Sequence, residues 1–227
     1  MKIEKPEIVK KENVFKYNGE PVKMTLGTVI LTCCCILMLI VATFTQFSFS
    51  HFIIPADFMN YLGSDNSDIK QHFFKYYRYI PQVPVISFIA AFLGQIFGLI
   101  AVLVYVAIGL FVYPVFALGG GPKYILNFNF GYIFAYIPAV LLAAYILKKG
   151  FNIKNILISA AAVVASIHIV GIVYTLAAGL ATHSSMAFLL GWIVAQSGLK
   201  IVYDYVFSLF AIVAAEGIKR FLWIIMC

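Results

Sequence analysis

Charge is what this sequence has least of. Only 11% of its 227 residues are Asp, Glu, Lys or Arg, against 63% hydrophobic and 16% aromatic. A water-soluble domain carries about 25% charged residues and about 45–50% apolar ones. A soluble sphere of this length has no way to hide the excess, so a soluble enzyme or binding domain is excluded. The same poverty of polar residues excludes disorder. Cysteine is scarce and badly placed for bridges. Cys33, Cys34 and Cys35 are consecutive inside an apolar run, and Cys227 is the last residue. That excludes a disulfide scaffold, and no metal-type spacing appears. The motifs of common chemistry are missing as well. There is no G-x-x-x-x-G-K-[ST] phosphate loop, no H-E-x-x-H and no G-x-S-x-G. Ser87, Ser166 and Ser208 occur singly, with no base nearby. The expectation is an all-α polytopic membrane protein that is not an enzyme, with no metal and no cofactor.

What is present is a series of apolar runs with basic punctuation. Residues 1–24 are polar and hold six lysines, which reads as a cytoplasmic tail. Residues 25–48 are uncharged and long enough to span ~30 Å of hydrocarbon. The polar connection 49–79 ends in the aromatic cluster 72–79, an interfacial belt. Residues 81–118 are too long for one span and predict two short ones, with the tight turn at Gly94–Gly98; a single bent helix is the weaker alternative. Gly119, Gly120 and Gly121 between Pro114 and Pro122 cannot continue a helix. They predict a packed loop before a fourth helix near 131–147, with Pro138 as its kink. A fifth helix is expected near 156–180, a short apolar stretch at 186–195 and a sixth helix at 201–218. The first 24 residues thus precede a six-helix membrane domain, 25–227.

Six helices put both termini on one side. With the N-terminus inside, the inner segments hold eleven Lys/Arg and the outer ones five. That bias predicts cytoplasmic termini. The 49–79, glycine-rich and 181–200 loops then share the outer side, where they can close one pocket.

Few side chains could carry chemistry. Asp204 is the one carboxylate within the last helix near its outer end. A charge at membrane depth costs roughly 2.5–3.5 kcal/mol on insertion scales, so it faces a cavity or a partner. Lys200 lies four residues earlier, on the same helix face. Gln82 sits between Pro81 and Pro84, where its amide can both donate and accept. Asn127 and Asn129 follow the glycine run, and loop asparagines usually bond their own backbone. His168 lies among Ile167, Ile169 and Val170 and reads as a packing residue.

From about Gln82 to Arg220 the chain resembles the BioY family, the biotin-binding substrate-capture subunits of energy-coupling-factor transporters. The likeness rests on Gly94-x3-Gly98, Tyr105-x3-Gly109, Pro114-Val115-Phe116-Ala117 with its glycine run, and Gly131-Tyr132. Gln82 falls on the glutamine of the family's T-L-Q segment, and Asp204 opens its D-x-x-K motif. The family lysine three residues on is Phe207 here, Ile96 stands where a basic residue is common, and Phe130 replaces one glycine. The resemblance implies a six-helix bundle that captures biotin from outside. It also implies partners: a transmembrane coupling subunit and two ATPase subunits of an energy-coupling factor. The substrate-binding set so expected is Asp204, Gln82, Asn129, Lys200, Tyr203 and Tyr132. Asp204 accepts from the ureido N–H groups, Gln82 or Asn129 bonds the ring carbonyl, and Lys200 offsets the ligand carboxylate. The rival readings are a related subunit for another small vitamin-like compound and a membrane scaffold that binds nothing small.

Overall fold

The computed structural model describes residues 16–17, 20–21, 24–52 and 74–226. The expected tail lies almost wholly outside these residues, apart from a small antiparallel pair, β1 (Lys16–Tyr17) and β2 (Glu20–Pro21). Helix α1 spans Leu26–Phe44. Thr25 begins it with a capping box: its hydroxyl accepts from Thr28 N–H at 3.2 Å, and the Thr28 hydroxyl accepts from Thr25 N–H at 3.0 Å.

The first uncharged run is not helical to its end. The helix stops at Phe44, and Phe47–Phe52 forms strand β3, paired antiparallel with β4 (Phe74–Tyr79). The physical reason is the switch to a two-residue period at Phe47-Ser48-Phe49-Ser50, which suits a strand with one face covered. Thus the flanks of the expected polar connection are a β-ribbon. Its middle lies outside the described residues.

Helix α2 spans Gln82–Ala107 and continues as a wider π-type turn, Ile108–Val112. It is one element by hydrogen bonding but not one rod. Gly94 leaves helical geometry at φ 74°, ψ −166°. Gln82 Nε2 lies 3.5 Å from Tyr105 Oη. Twenty-three residues of straight helix would separate them by roughly 34 Å. A Cβ on Gly98 would sit 3.6 Å from the Ile89 carbonyl oxygen. The two arms of α2 therefore fold back on each other at Gly94, where a positive φ favours glycine. The reversal needs only this one residue outside helical geometry, so it is tighter than a turn spread over 94–98.

The glycine run is tied to the arm before it. Gly121 N–H donates to Gly109 O at 2.8 Å, and Phe116 and Gly119 exchange backbone bonds at 3.0 Å. Val115 and Phe116 are buried. A 3₁₀ turn, Pro122–Leu126, leads to α3 (Phe130–Phe134) and α4 (Tyr136–Lys148). The expected kink lies at Ala135 rather than at Pro138. A proline ring crowds the carbonyl four residues back, here Phe134, so the break falls upstream. Helix α5 is Ile153–Ala181, capped by Asn152, whose side chain accepts from Asn155 N–H at 2.8 Å. Helix α6 is Met186–Ser197, capped by Ser185. Helix α7 is Lys200–Met226, two turns longer than its apolar pattern suggests.

Among the described residues, five helical stretches are long and apolar enough to cross a membrane: Leu26–Phe44, Gln82–Val112, Phe130–Lys148, Ile153–Ala181 and Met186–Leu222. Helix α2 packs against α1, α4 and α7, and α5 closes the other side against α3, α4 and α7. Large apolar side chains point outward, among them Leu37, Phe111, Ile169, Leu180 and Phe210. Gln82, Ser87, Ser159, His168, Thr175, Asp204 and Ser208 are buried. That inside-out distribution suits a lipid solvent, where tails are as apolar as leucine and helices associate through packing and interhelical hydrogen bonds.

Candidate functional site

The elements bring their polar residues to one end of the bundle. This end gathers the C-terminus of α1, the start of α2, the tip of its second arm, the start of α4, and the α6–α7 junction. Gln82 is the hub between α1 and the two arms. Its Nε2 donates to Thr43 Oγ1 at 2.8 Å and reaches Tyr105 Oη at 3.5 Å. Its Oε1 accepts from Tyr136 Oη at 2.9 Å. Thr43 donates in turn to Leu39 O at 2.9 Å and lies 2.9 Å from Tyr105 Oη. Both amide N–H groups are thus engaged inside the protein, and one lone pair of Oε1 remains.

A second network crosses α5, α6 and α7. Asp204 has no exposed surface. Its Oδ1 accepts from Tyr79 Oη at 2.8 Å, and its Oδ2 lies 3.1 Å from His168 Nε2 and 4.0 Å from Lys200 Nζ. The other His168 nitrogen lies 2.9 Å from Ser197 Oγ, which is 2.8 Å from Tyr132 Oη. A buried carboxylate costs several kcal/mol unless its partners are well placed. Here a β-strand, a helix and a neighbouring ammonium supply them. Gly171 permits part of this geometry: a Cβ there would lie 2.3 Å from the Tyr132 ring.

A cavity of about 280 Å³ opens beside both networks. Tyr124, Tyr132, Tyr136, Trp192, Ile133, Ile167 and Leu118 form its apolar wall; Gln82, Asn129 and Gln196 supply amides; Arg78 and Lys200 supply cations. Asn129 accepts from Trp192 Nε1 at 3.2 Å and its side chain also hydrogen-bonds the Tyr124 hydroxyl, so one amide N–H remains. Burial pushes the Tyr124 hydroxyl above its usual value, so it stays protonated at the cavity edge.

Of the expected residues, Gln82, Asn129, Tyr132 and Lys200 meet on this cavity. Asp204 does not. It is absent from the cavity lining, and its oxygens are engaged by Tyr79, His168 and Lys200. Lys200 connects the two, since it both lines the cavity and approaches Asp204. Tyr203 is also off the wall. Its ring stacks on Phe49 at 5.2 Å and lies 6.1 Å from Phe207. Phe207 completes that cluster, 6.0 Å from Phe49 and 5.3 Å from Tyr79. The phenylalanine in place of the family lysine therefore packs α7 against the β3–β4 ribbon. Sequence reasoning missed three residues: His168, which binds Asp204 rather than merely packing; Ser197; and Trp192. A helical histidine thirty-six residues from the carboxylate gives no local signal. The indole of Trp192, one of two tryptophans in the sequence, was the available cue.

Three comparisons bear on this geometry. A model of the BioY family matches residues 77–223. A protein of Lysinibacillus sphaericus named "Probable biotin transporter BioY" is 35% identical over 83 residues, which are 34% of this chain and 42% of that protein. The matched region is thus under half the length of that relative. A crystal structure described as the S-component for biotin from an ECF-type ABC transporter superposes with a TM-score of 0.61 at 19% identity, covering 87% of this chain and 95% of that one. At that identity the likeness speaks for the fold. Since the family match spans well over half of its residues, this chain belongs to the BioY family.

Proposed function

We propose that this chain is the membrane subunit that captures biotin from outside the cell and delivers it inward with an ATP-driven coupling module. The observation that carries the reading is the mostly apolar 280 Å³ cavity with amides and cations at fixed points, in a chain of this family. Biotin has a cyclic urea, an apolar ring and chain, and a carboxylate. Such a cavity suits all three parts. In this reading the rings of Tyr132, Tyr136 and Trp192 hold the apolar body. The free lone pair of Gln82 Oε1 accepts a ureido N–H, and Asn129 donates to the ureido carbonyl. Arg78 and Lys200 attract the carboxylate. Asp204 and Tyr203 act behind this layer, holding Lys200 and the β-ribbon in place.

The fold reading that goes with it has six crossings, because α2 counts twice. Its first arm, residues 82–93, is about 18 Å long, short of the ~30 Å core, so Gln82 lies below the membrane surface. The glycine-rich loop then joins the third and fourth crossings. Both termini lie in the cytoplasm, as the lysine bias indicates. The chain carries no phosphate loop, so energy comes from partners: a transmembrane coupling subunit and two ATPase subunits. Equilibrium binding of tritiated biotin to the purified chain tests the reading, with Gln82→Ala as the variant expected to lose affinity. Binding unaffected by that change, or absent from the parent chain, contradicts it.

A further inference from the structure

A second cavity, of about 370 Å³, lies at the opposite end of the bundle, around the Gly94 reversal. Leu93, Ile96, Phe97, Leu147 and Phe151 make its walls apolar, and Lys148 and Lys219 stand at it with Gln95 and Glu216. Two further cations flank it: Lys149, over the Tyr145 ring at 4.5 Å, and Arg220, 6.0 Å from the Phe151 ring. Two cations thus line the cavity against one carboxylate. Glu216 is already engaged, 3.0 Å from Arg220 Nε and 3.8 Å from Lys219 Nζ. Lys219 is also pinned from below. Its Nζ donates to Ala91 O at 2.8 Å. Ala91 lies just before the break at Gly94, where the last carbonyls of a helix arm lose their onward donors. An ammonium has three donors, so Lys219 keeps capacity for another acceptor.

The position says which anion fits. Lys148-Lys149 ends an apolar helix, which is where hydrocarbon gives way to headgroups. Leu142 and Tyr145, two turns and one turn back from Lys149 along α4, are about half exposed. A ligand here meets Lys148 and Lys219 together with the apolar walls formed by Leu93, Phe97, Leu147 and Phe151. A small soluble anion has no use for the second feature. We propose that this cavity holds the headgroup of an anionic phospholipid, with Lys148 and Lys219 on the phosphate and the acyl chains along α4. The site does not depend on what the other cavity binds.

The test is native mass spectrometry of the full-length chain in detergent, titrated with phosphatidylglycerol or phosphatidylcholine. Retention of one phosphatidylglycerol in preference to phosphatidylcholine is expected. Lys148→Ala should weaken that retention about fivefold, and Lys148→Ala with Lys219→Gln about 25-fold, following the attraction of single cations to anionic lipid. Lys200→Ala, at the far end, should leave it unchanged. The single variant keeps the test sound if loss of the Lys219 bond to Ala91 unfolds the double one. Equal retention of the two lipids, or unchanged retention in Lys148→Ala, overturns the proposal. Displacement by millimolar inorganic phosphate assigns the site to a small anion and overturns it as well. A chain that retains no lipid but binds an acidic peptide at these lysines overturns it in favour of a protein partner.

Discussion

The two ends of the bundle hold cavities of comparable size and opposite construction. At the Gln82 end the polar groups are satisfied largely by one another: Thr43, Tyr105, Gln82 and Tyr136 in one chain, Tyr79, Asp204, His168, Ser197 and Tyr132 in another. At the Gly94 end the cations ring the opening and one carboxylate is shared between two of them. The first arrangement fixes side chains before a ligand arrives. Preorganisation of that kind raises affinity by lowering the ordering cost of binding. The second leaves long, exposed side chains that adapt to a headgroup. On the two proposals, one fold separates selective capture from interfacial anchoring along the same helices.

Substitutions can break or sharpen this contrast. The largest effect is expected for Asp204→Ala, which removes the acceptor from Tyr79, His168 and Lys200; breaking a buried pair costs about 3–5 kcal/mol. Thermal unfolding in detergent should show a large drop in Tm and biotin binding should vanish. Gln82→Ala comes next. It strands Tyr136 and the Thr43–Tyr105 pair, at about 1–3 kcal/mol, so the biotin Kd should rise by roughly 5- to 150-fold. Gly94→Ala forces a Cβ onto a backbone at φ 74°, costing about 1–2 kcal/mol. It should lower Tm while changing biotin affinity by less than about twofold, because the strain sits at the other end. The smallest effect on biotin affinity is expected for Phe207→Lys. It gives up ring contacts with Phe49, Tyr79 and Tyr203 worth about 0.5–1.5 kcal/mol per pair. Titration calorimetry should show no gain in biotin affinity, because position 207 serves the ribbon and not the cavity.

The sequence made much of this legible, unevenly. Composition alone demanded a membrane bundle, and the described residues include five apolar helices long enough to span one. The reversal within 81–118 was signalled by Gly94, because one residue at positive φ can turn an apolar run that propensity would leave straight. The β-ribbon was hidden, although Phe47-Ser48-Phe49-Ser50 alternates, because it follows an uncharged helix without a break in hydropathy. Spacing brought Lys200 to Asp204, since i and i+4 share a helix face. It could not bring His168 or Tyr79 there. Those contacts are set by how α5 and β4 pack against α7, and no local pattern encodes such a crossing. Nor could spacing show that Tyr79, His168 and Lys200 all converge on Asp204.

The central claim is that the Gln82-end cavity is built for biotin. Equilibrium binding of biotin to the purified full-length chain tests it most directly. The account predicts saturable one-to-one binding with a Kd on the order of nanomolar, about −12 kcal/mol, weakened by Gln82→Ala and untouched by Lys148→Ala. No binding up to high micromolar biotin, or binding that responds to Lys148 and not to Gln82, would contradict it.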